Sequence, residues 1–470
     1  MSSRRVVWFV ALTLGSLVLV SGHALADAAP AAAGKKPNVL FILADDFRAD
    51  CLGALGNSHL KTPNLDKLAD RGMIFSNTYC LGSMVGAVCL PSRTMLLTGR
   101  SLFHLPGKSF VPGKDYALWP KAMSAGGYET FHLGKKGNSF VPGMEAFDTC
   151  IYASTDQGER AESSQKTADG VMEYLHKRKS DKPFFVYMAP PVPHDPRVAP
   201  KEFMDQYDPA RIPLPVAFLP VHPFDNGEMT VRDEMLAPHP RTPEIIRRHL
   251  ADYYACVTCL DYHIGRIMDV LRQRGELDNT LIVFTGDNGL SLGDHGLLGK
   301  QNVYEYGGMH VPMIMAGPGI PHGKTSALVY LYDIFPTVCE LTGTPIPPQV
   351  ESKSLASIIA GKAAKVRDYM YTVYKDVQRG IRDDRWKLIR YPQINKTQLF
   401  DLNSDPHELN NLADKPEYAA KVKEMMALLA KVQKEYDDTC PLVSEHPADP
   451  SWSPDKAKIA PAKQAKRGKK

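Results

Sequence analysis

Four strand-like segments, each followed by polar or charged residues, constrain this 470-residue chain more than any other feature. Asn38-Val-Leu-Phe-Ile-Leu43 runs into Asp45 and Asp46, and Tyr128–Leu133 runs into Gly134-Lys135. Pro183–Met188 leads to Pro191-Val-Pro-His194, and Leu281–Thr285 leads to Gly286-Asp287-Asn288. The mostly apolar runs Asn38–Leu43 and Pro183–Met188 have the pattern of strands buried on both faces. Helical patterns lie between them. Thr62 caps a helix that starts at Pro63 and ends near Gly72, with Leu65 and Leu68 facing inward. Lys166–Lys179 carries Val171, Met172 and Leu175. Thr242 caps a long helix with Leu250, Tyr254, Val257, Ile264, Ile267 and Leu271 on one stripe. This alternation predicts an α/β fold with a mostly parallel sheet flanked by helices, to which Pro312–Ala316 adds a further strand. Ligands of such sheets bind beyond the carboxyl ends of the strands. Asp45, Asp46, Lys135, His194, Asp287 and Asn288 are therefore expected to meet at one site.

The pattern changes after about Pro347. Tyr369–Tyr374, Arg385–Tyr391 and Gln398–Leu402 read as short antiparallel strands, and Glu417–Tyr436 as a helix. We expect a main domain over 37–346 and a smaller C-terminal α+β domain over 347–445. Between Pro190 and Pro243 there are 13 prolines, which predicts an irregular segment walling the substrate side. At the N-terminus, Arg4 and Arg5, the apolar run Val6–Val20 and Ala24-Leu25-Ala26 form a cleavable signal peptide over 1–26. An Ala-rich linker over 27–36 follows it, and a basic disordered tail is expected over 446–470. The first 26 residues and the stretch from Asp455 hold nine of the 56 bases and one of the 52 acids, so the body between them is net acidic. That argues against nucleic-acid binding. The chain reads as exported, periplasmic or secreted, with no stable membrane anchor. Cys256 and Cys259 form a C-x-x-C inside a helical pattern and read as helix packing.

Cys89-Leu-Pro-Ser-Arg-Thr-Met-Leu-Leu-Thr-Gly-Arg100 reads as a short helix beginning at Pro91 and ending near Gly99. Cys89 then sits where free N–H groups and the helix dipole favour an anion, and Arg93 can point back to the same spot. From the residues alone, two readings stay open: a reactive cysteine beside an anion site, or a buried structural cysteine ahead of an ordinary helix. Asp45, Asp46, Asp287 and Asn288 offer oxygen ligands. Carboxylates at close range repel by about 4 kcal/mol per pair in a typical protein environment, and a hard divalent cation, Ca²⁺ or Mg²⁺, removes that cost. Taken singly, Asp45-Asp46 is also an acidic loop and Asp287-Asn288-Gly289 a turn.

The run Cys-x-Pro-Ser-Arg-x-x-x-Leu-Thr-Gly from Cys89 resembles the signature of the type I sulfatases, which have an alkaline-phosphatase-like fold. The likeness extends from Asn38 to about Tyr436 and is nearest to secreted choline-sulfatase and iduronate-sulfatase-like enzymes. It implies a sulfuric ester hydrolase in which a formylglycine-generating enzyme converts Cys89 to formylglycine, whose hydrate is the nucleophile. It implies Ca²⁺ held by Asp45, Asp46, Asp287 and Asn288, with residue 89 completing the shell. Asp287 would then be the base, Arg93 would steady the hydrate and Lys135 would bind a sulfate oxygen. His194, together with Lys300 in Gly-Lys-Gln-Asn-x-Tyr-Glu, would bind the bridging oxygen and protonate the leaving group. Many relatives carry a histidine two or three residues after the lysine that Lys135 matches. Here those positions are Gly137 and Asn138, with Lys136 and His132 as the nearby substitutes. His295 and His310 are candidate substrate-side groups. Export points to a sulfated carbohydrate as substrate. A formylglycine-dependent phosphonate or phosphodiester hydrolase and a non-catalytic binder of sulfated glycans are the two alternatives.

Overall fold

The computed structural model describes residues 35–105, 116–153 and 157–455. The expected signal peptide, the linker up to residue 34 and the tail from residue 456 lie outside the described residues. In chain order the strands are β1 (Asn38–Ala44), β2 (Gly72–Tyr79), β3 (Gly82–Ser83), β4 (Glu129–Lys135), β5 (Thr149–Ala153), β6 (Phe184–Ala189) and β7 (Thr280–Gly286). They continue with β8 (His310–Ala316), β9 (Gly323–Tyr330), β10 (Met370–Tyr374), β11 (Gln378–Arg382), β12 (Trp386–Tyr391) and β13 (Lys396–Asp401). The larger sheet has eight strands in the order β5-β4-β6-β1-β7-β8-β2-β9.

This is the expected α/β arrangement, with a mostly parallel sheet. Side chains alternate along β1: Val39, Phe41 and Leu43 enter one core, and Leu40, Ile42 and Ala44 the other. The helices Pro63–Ala69, Ser163–Lys177 and Pro243–Gln273 contribute to the second core. Cys89–Thr98, Trp119–Ala125 and Ile334–Leu341 contribute to the first, where Phe41 packs its ring 5.1 Å from Trp119 and 5.0 Å from Tyr187. One strand departs from the parallel pattern. β8 runs antiparallel to both β7 and β2, so its first residue, His310, lies at the edge where the other strands end.

The register places the polar ends together. Ala44 pairs with Gly286, the Asp287 N–H donates to the Ala44 carbonyl at 3.0 Å, and the Asp45 N–H donates to the Val192 carbonyl at 2.9 Å. Asp45, Asp287 and the turn carrying His194 therefore leave adjacent strands side by side.

The smaller sheet has the order β13-β12-β11-β10-β3, antiparallel except that β3 pairs parallel with β10. Strand β11 gives no apolar run in the sequence, yet all five of its residues are buried. Its Arg379 meets Asp438, and its Arg382 meets Glu305. The helix Ala419–Glu435 packs on this sheet through Met425, Leu429 and Val432. Residues 446–455, expected as the start of the tail, lie on the body: the Ala448 N–H bonds to Gln393 and the Pro450 carbonyl accepts from Asp225. All eight cysteines are free, with Cys256 and Cys259 buried in the long helix. Among the described residues no helix is long and apolar enough to cross a membrane.

Candidate active site

The helix bearing Cys89 starts at that residue rather than at Pro91 and runs to Thr98. Pro91 falls within the first turn, where a missing N–H leaves no bond unmade. Gly99 ends the helix at φ 67°, and its N–H bonds to the Met95 carbonyl at 2.7 Å. The Ser92 hydroxyl donates to the Asp287 carbonyl at 2.6 Å, tying this helix to the end of β7.

At the head of that helix the expected residues converge. The Cys89 Sγ lies 3.4 Å from Asp45 Oδ1 and 3.6 Å from Asp46 Oδ1, and Lys300 Nζ lies 3.2 Å from the same sulfur. Lys300 also reaches Asp46 Oδ1 at 2.6 Å, and Lys135 Nζ is in close contact with Asp45 Oδ2. Asp287 accepts from the Asp46 N–H at 3.0 Å and from Arg93 Nε at 2.8 Å. Asn288 Nδ2 donates to Asp46 Oδ1 at 2.8 Å. His194 is half-buried, with Nε2 3.8 Å from Asp46 Oδ2 and Nδ1 2.7 Å from the Asp195 carbonyl.

The electrostatics follow from this crowding. Burial raises the Asp45 carboxyl, but Lys135, His194, Arg93 and Lys300 together hold it well below the usual carboxylate range. Asp46 is lowered in the same way, chiefly by Lys300 and His194 against burial. Asp287 is raised, because its burial outweighs Arg93. Burial and Asp287 push the Cys89 thiol well up, so the unmodified cysteine is a poor nucleophile. Burial pushes His194 down to about 4 against the pull of Asp46 and Asp45.

The donor set fits a hard cation. One ligand atom each from Asp45, Asp46, Cys89 and Asp287 lies within 4.8 Å of all the others, and all four residues are buried. Asn288 Oδ1 is a buried acceptor with no hydrogen-bond partner, and Arg93 Nη2 pairs with Asp45 Oδ1 at 3.5 Å without a hydrogen bond. An acceptor left open beside three carboxylates suits a bound cation.

Some expected residues are elsewhere. His295 stacks on Tyr304 at 3.9 Å, with φ 55°, inside the fold. His310 stacks on Tyr79 at 4.6 Å, and its Nε2 lies 2.8 Å from the Ser76 carbonyl. Neither lines the cavity beside His194 and Lys300, which also includes Asn138. His132 is buried among Phe147, Tyr152 and Tyr187, and Lys136 is exposed beside the Tyr152 ring. Other residues at the site carry no sequence signal. Ser139 meets Arg93 Nη1 at 3.3 Å, and the Tyr253 hydroxyl donates to the Asp46 carbonyl at 2.7 Å. Arg160 donates to the carbonyls of Pro191 and His194. All three belong to elements whose own patterns are structural, so only tertiary packing brings them to the site.

An α/β sheet with a cysteine-headed helix and an acidic cluster at its strand ends is the arrangement that the resemblance to alkaline-phosphatase-like hydrolases implies. Residues 37–344 match the family model described as sulfatase, and residues 293–435 match that of the N-sulphoglucosamine sulphohydrolase C-terminal region. The chain belongs to the sulfatase family, enzymes that hydrolyse sulfate esters. It is 27% identical to an N-acetylglucosamine-6-O-sulfatase of Bacteroides thetaiotaomicron, over 87% of this chain and 88% of that one. It is 28% identical to a choline-sulfatase of Rhizobium meliloti, over 81% and 83% of the two chains. A protein solved with its substrate D-glucosamine-2-N,6-O-disulfate shares the fold at a TM-score of 0.72 and 24% identity, covering 87% of this chain and all of that one. The phosphonate monoester hydrolase of Agrobacterium radiobacter shares it at a TM-score of 0.72 and 21% identity, over 85% and 96% of the chains.

Proposed function

We propose that this sulfatase is exported and matured at Cys89 to formylglycine, that it holds Ca²⁺, and that it releases sulfate from a sulfated carbohydrate. The observation that carries this reading is the position of Cys89: at the head of its helix, in contact with Asp45, Asp46 and Lys300 at once. The carbohydrate assignment draws support from the relative named for N-acetylglucosamine 6-O-sulfate and from the neighbour solved with a sulfated glucosamine. Residues 37–346 form the catalytic domain in this reading, and 347–445 a C-terminal domain beside it.

Asp45, Asp46, Asp287 and Asn288 would hold the cation, which would supply Lewis-acid stabilisation of the sulfate, and the aldehyde hydrate at position 89 would supply the nucleophile. The chain's own residues do the rest. Lys135, Lys300 and Arg93 bind and orient the sulfate. The raised Asp287 carboxyl is suited to accept a proton. His194 Nδ1 is engaged by the Asp195 carbonyl, so Nε2 faces the site and gives a proton to the departing alcohol when the ring is charged. Burial alone keeps that ring neutral, and a bound sulfate anion favours its charged form.

The test is the mass of the tryptic peptide Gly72–Arg93 from protein made with a maturing enzyme, combined with turnover of a sulfated monosaccharide and of a phosphonate monoester. An aldehyde at position 89 with sulfate release is expected. An unmodified thiol in protein that still turns over would refute the formylglycine assignment. Faster phosphonate than sulfate hydrolysis would refute the substrate class.

A further inference from the structure

The last described stretch of the chain is a strap that runs from the C-terminal sheet to the wall of the active-site cavity. From Pro441 to Ser453 it forms neither helix nor strand, and Pro441, Pro447 and Pro450 limit the conformations its backbone can adopt. It crosses the smaller sheet on a row of backbone contacts. The Leu442 carbonyl accepts from Arg390 Nε at 2.7 Å, and Ser444 exchanges two bonds with the Asn395 side chain at 2.8 and 3.0 Å. The Ala448 N–H donates to the Gln393 carbonyl at 2.9 Å. The strap then leaves that sheet for the proline-rich segment. The Pro450 carbonyl accepts from the Asp225 N–H at 2.8 Å, and the Trp452 ring stands edge-on to His239, 5.5 Å between centroids.

These two contacts bracket residues 228–233. That stretch supplies Glu228, Val231, Arg232 and Asp233 to the cavity beside His194 and Lys300. It has no helix or strand of its own, so its place depends on what holds it from outside. Lys375, on the turn after β10, is in close contact with Glu228, and Gln301 Nε2 donates to Asp233 Oδ2 at 2.7 Å. The strap holds the two flanks, Asp225 on one side and His239 on the other, and the Met229 backbone lies beside the His239 ring. Neither Pro450 nor Trp452 lines the cavity, so neither touches what binds there. The cavity measures about 280 Å³, at the small end of ligand pockets, which run from roughly 300 to 1,000 Å³. A small shift of one wall therefore changes a large share of it.

We propose that Trp452 is a positioning residue for substrate recognition. Packed on His239, with Pro450 bonded to Asp225, it holds the 228–233 wall where the leaving group of the sulfate ester binds. This rests on the proposed reaction only for the leaving group's place in this cavity.

The test compares the matured full-length enzyme with its Trp452→Ala and Trp452→Phe variants on the sulfate ester it cleaves best. Trp452→Ala is expected to raise KM by roughly tenfold with kcat within about twofold, because a displaced wall weakens ground-state and transition-state binding alike. Inhibition by inorganic sulfate, which engages Lys135, Lys300 and Arg93 but not this wall, should hold steady. Trp452→Phe keeps a ring against His239 and should restore most of the parent KM. An unchanged KM in Trp452→Ala, or weaker sulfate inhibition in step with the rise in KM, overturns the proposal.

Amide hydrogen exchange reads the same contact without turnover. Trp452→Ala should speed exchange severalfold in peptides covering 226–235 and leave those covering Cys89–Thr98 as they are. Faster exchange in both regions, or in neither, overturns the proposal, because the strap would then serve overall stability or nothing at the wall. His239→Leu removes the same contact from the wall side and should match Trp452→Ala in both measurements, so the outcome is readable even where one variant does not fold. If no sulfate ester is cleaved, the proposed reaction fails, and the exchange pattern alone decides whether Trp452 holds the wall.

Discussion

Arg160 closes the turn that carries His194. Its guanidinium donates to the carbonyls of Pro191 and His194 and reaches those of Asp195 and Pro196 at 3.4 Å each. The His194 Nδ1 bonds to the same Asp195 carbonyl, so one buried arginine fixes the backbone that orients the imidazole. Arg160→Ala should lower kcat on sugar sulfates by roughly a hundredfold, the typical cost of misplacing a catalytic group by about an ångström. The loss should be much smaller on activated aryl sulfates, whose leaving groups need no proton. Arg160→Lys should recover part of it. Equal losses on both ester types would show that Arg160 serves the fold and not His194.

Cys89→Ala should reduce turnover to background, because the proposed mechanism draws its nucleophile from that residue. The side chain is small and already confined, so the variant should stay folded, with an unfolding temperature within a few degrees of the parent. Retained turnover in a folded Cys89→Ala protein would exclude residue 89 from the chemistry.

Cation binding should be visible without any activity. A ligand that binds only the folded state stabilises it in proportion to the logarithm of its concentration. The unfolding temperature should therefore rise with added Ca²⁺ and fall with chelator, and Asp45→Asn should abolish most of the response. A melting curve indifferent to both Ca²⁺ and Mg²⁺ would remove the metal from the site.

A second buried charge cluster gives a pH dependence. Burial raises Glu408 from 4.5 to about 7, against Lys387 at 2.9 Å and the Glu305 N–H at 2.6 Å. A carboxyl raised on folding binds its proton more tightly in the native state. It therefore contributes stability that is complete below about 4.5 and lost as pH climbs through about 7. Glu305 shares the cluster and is lowered by Arg382 and Lys387 against its burial, so the two titrate as a unit. Glu408→Gln should flatten the fall in unfolding temperature between pH 5 and pH 7.5. Parallel curves for parent and variant would contradict the assignment.

The strand ends were legible because their signals are local. Asp45, Asp46, Asp287 and Asn288 each follow an apolar run, and Cys89 opens a long motif. What escaped depends on distant partners. Strand β11 contains Arg379 and Arg382 and looks solvent-facing until Asp438 and Glu305 are placed against it. Glu228, Arg232 and Lys375, which line one cavity with Lys300, come from irregular segments with no periodicity to read. His295 and His310 drew attention by residue type, but a ring stacked on Tyr304 or Tyr79 has the same letter in the sequence as one facing a substrate.

The parallel pairing of β3 with β10 has a consequence in time. Gly82 and Ser83 precede Cys89 by only a few residues, yet their partners Val373 and Tyr374 lie far along the chain. Pairings between such distant segments form late, after the intervening chain is available. The segment leading into Cys89 is therefore without its final partner until the C-terminal sheet has been made. Cys89 is fully buried in the finished fold, so under the proposed conversion to formylglycine the interval before that last strand docks is when a maturing enzyme would reach it.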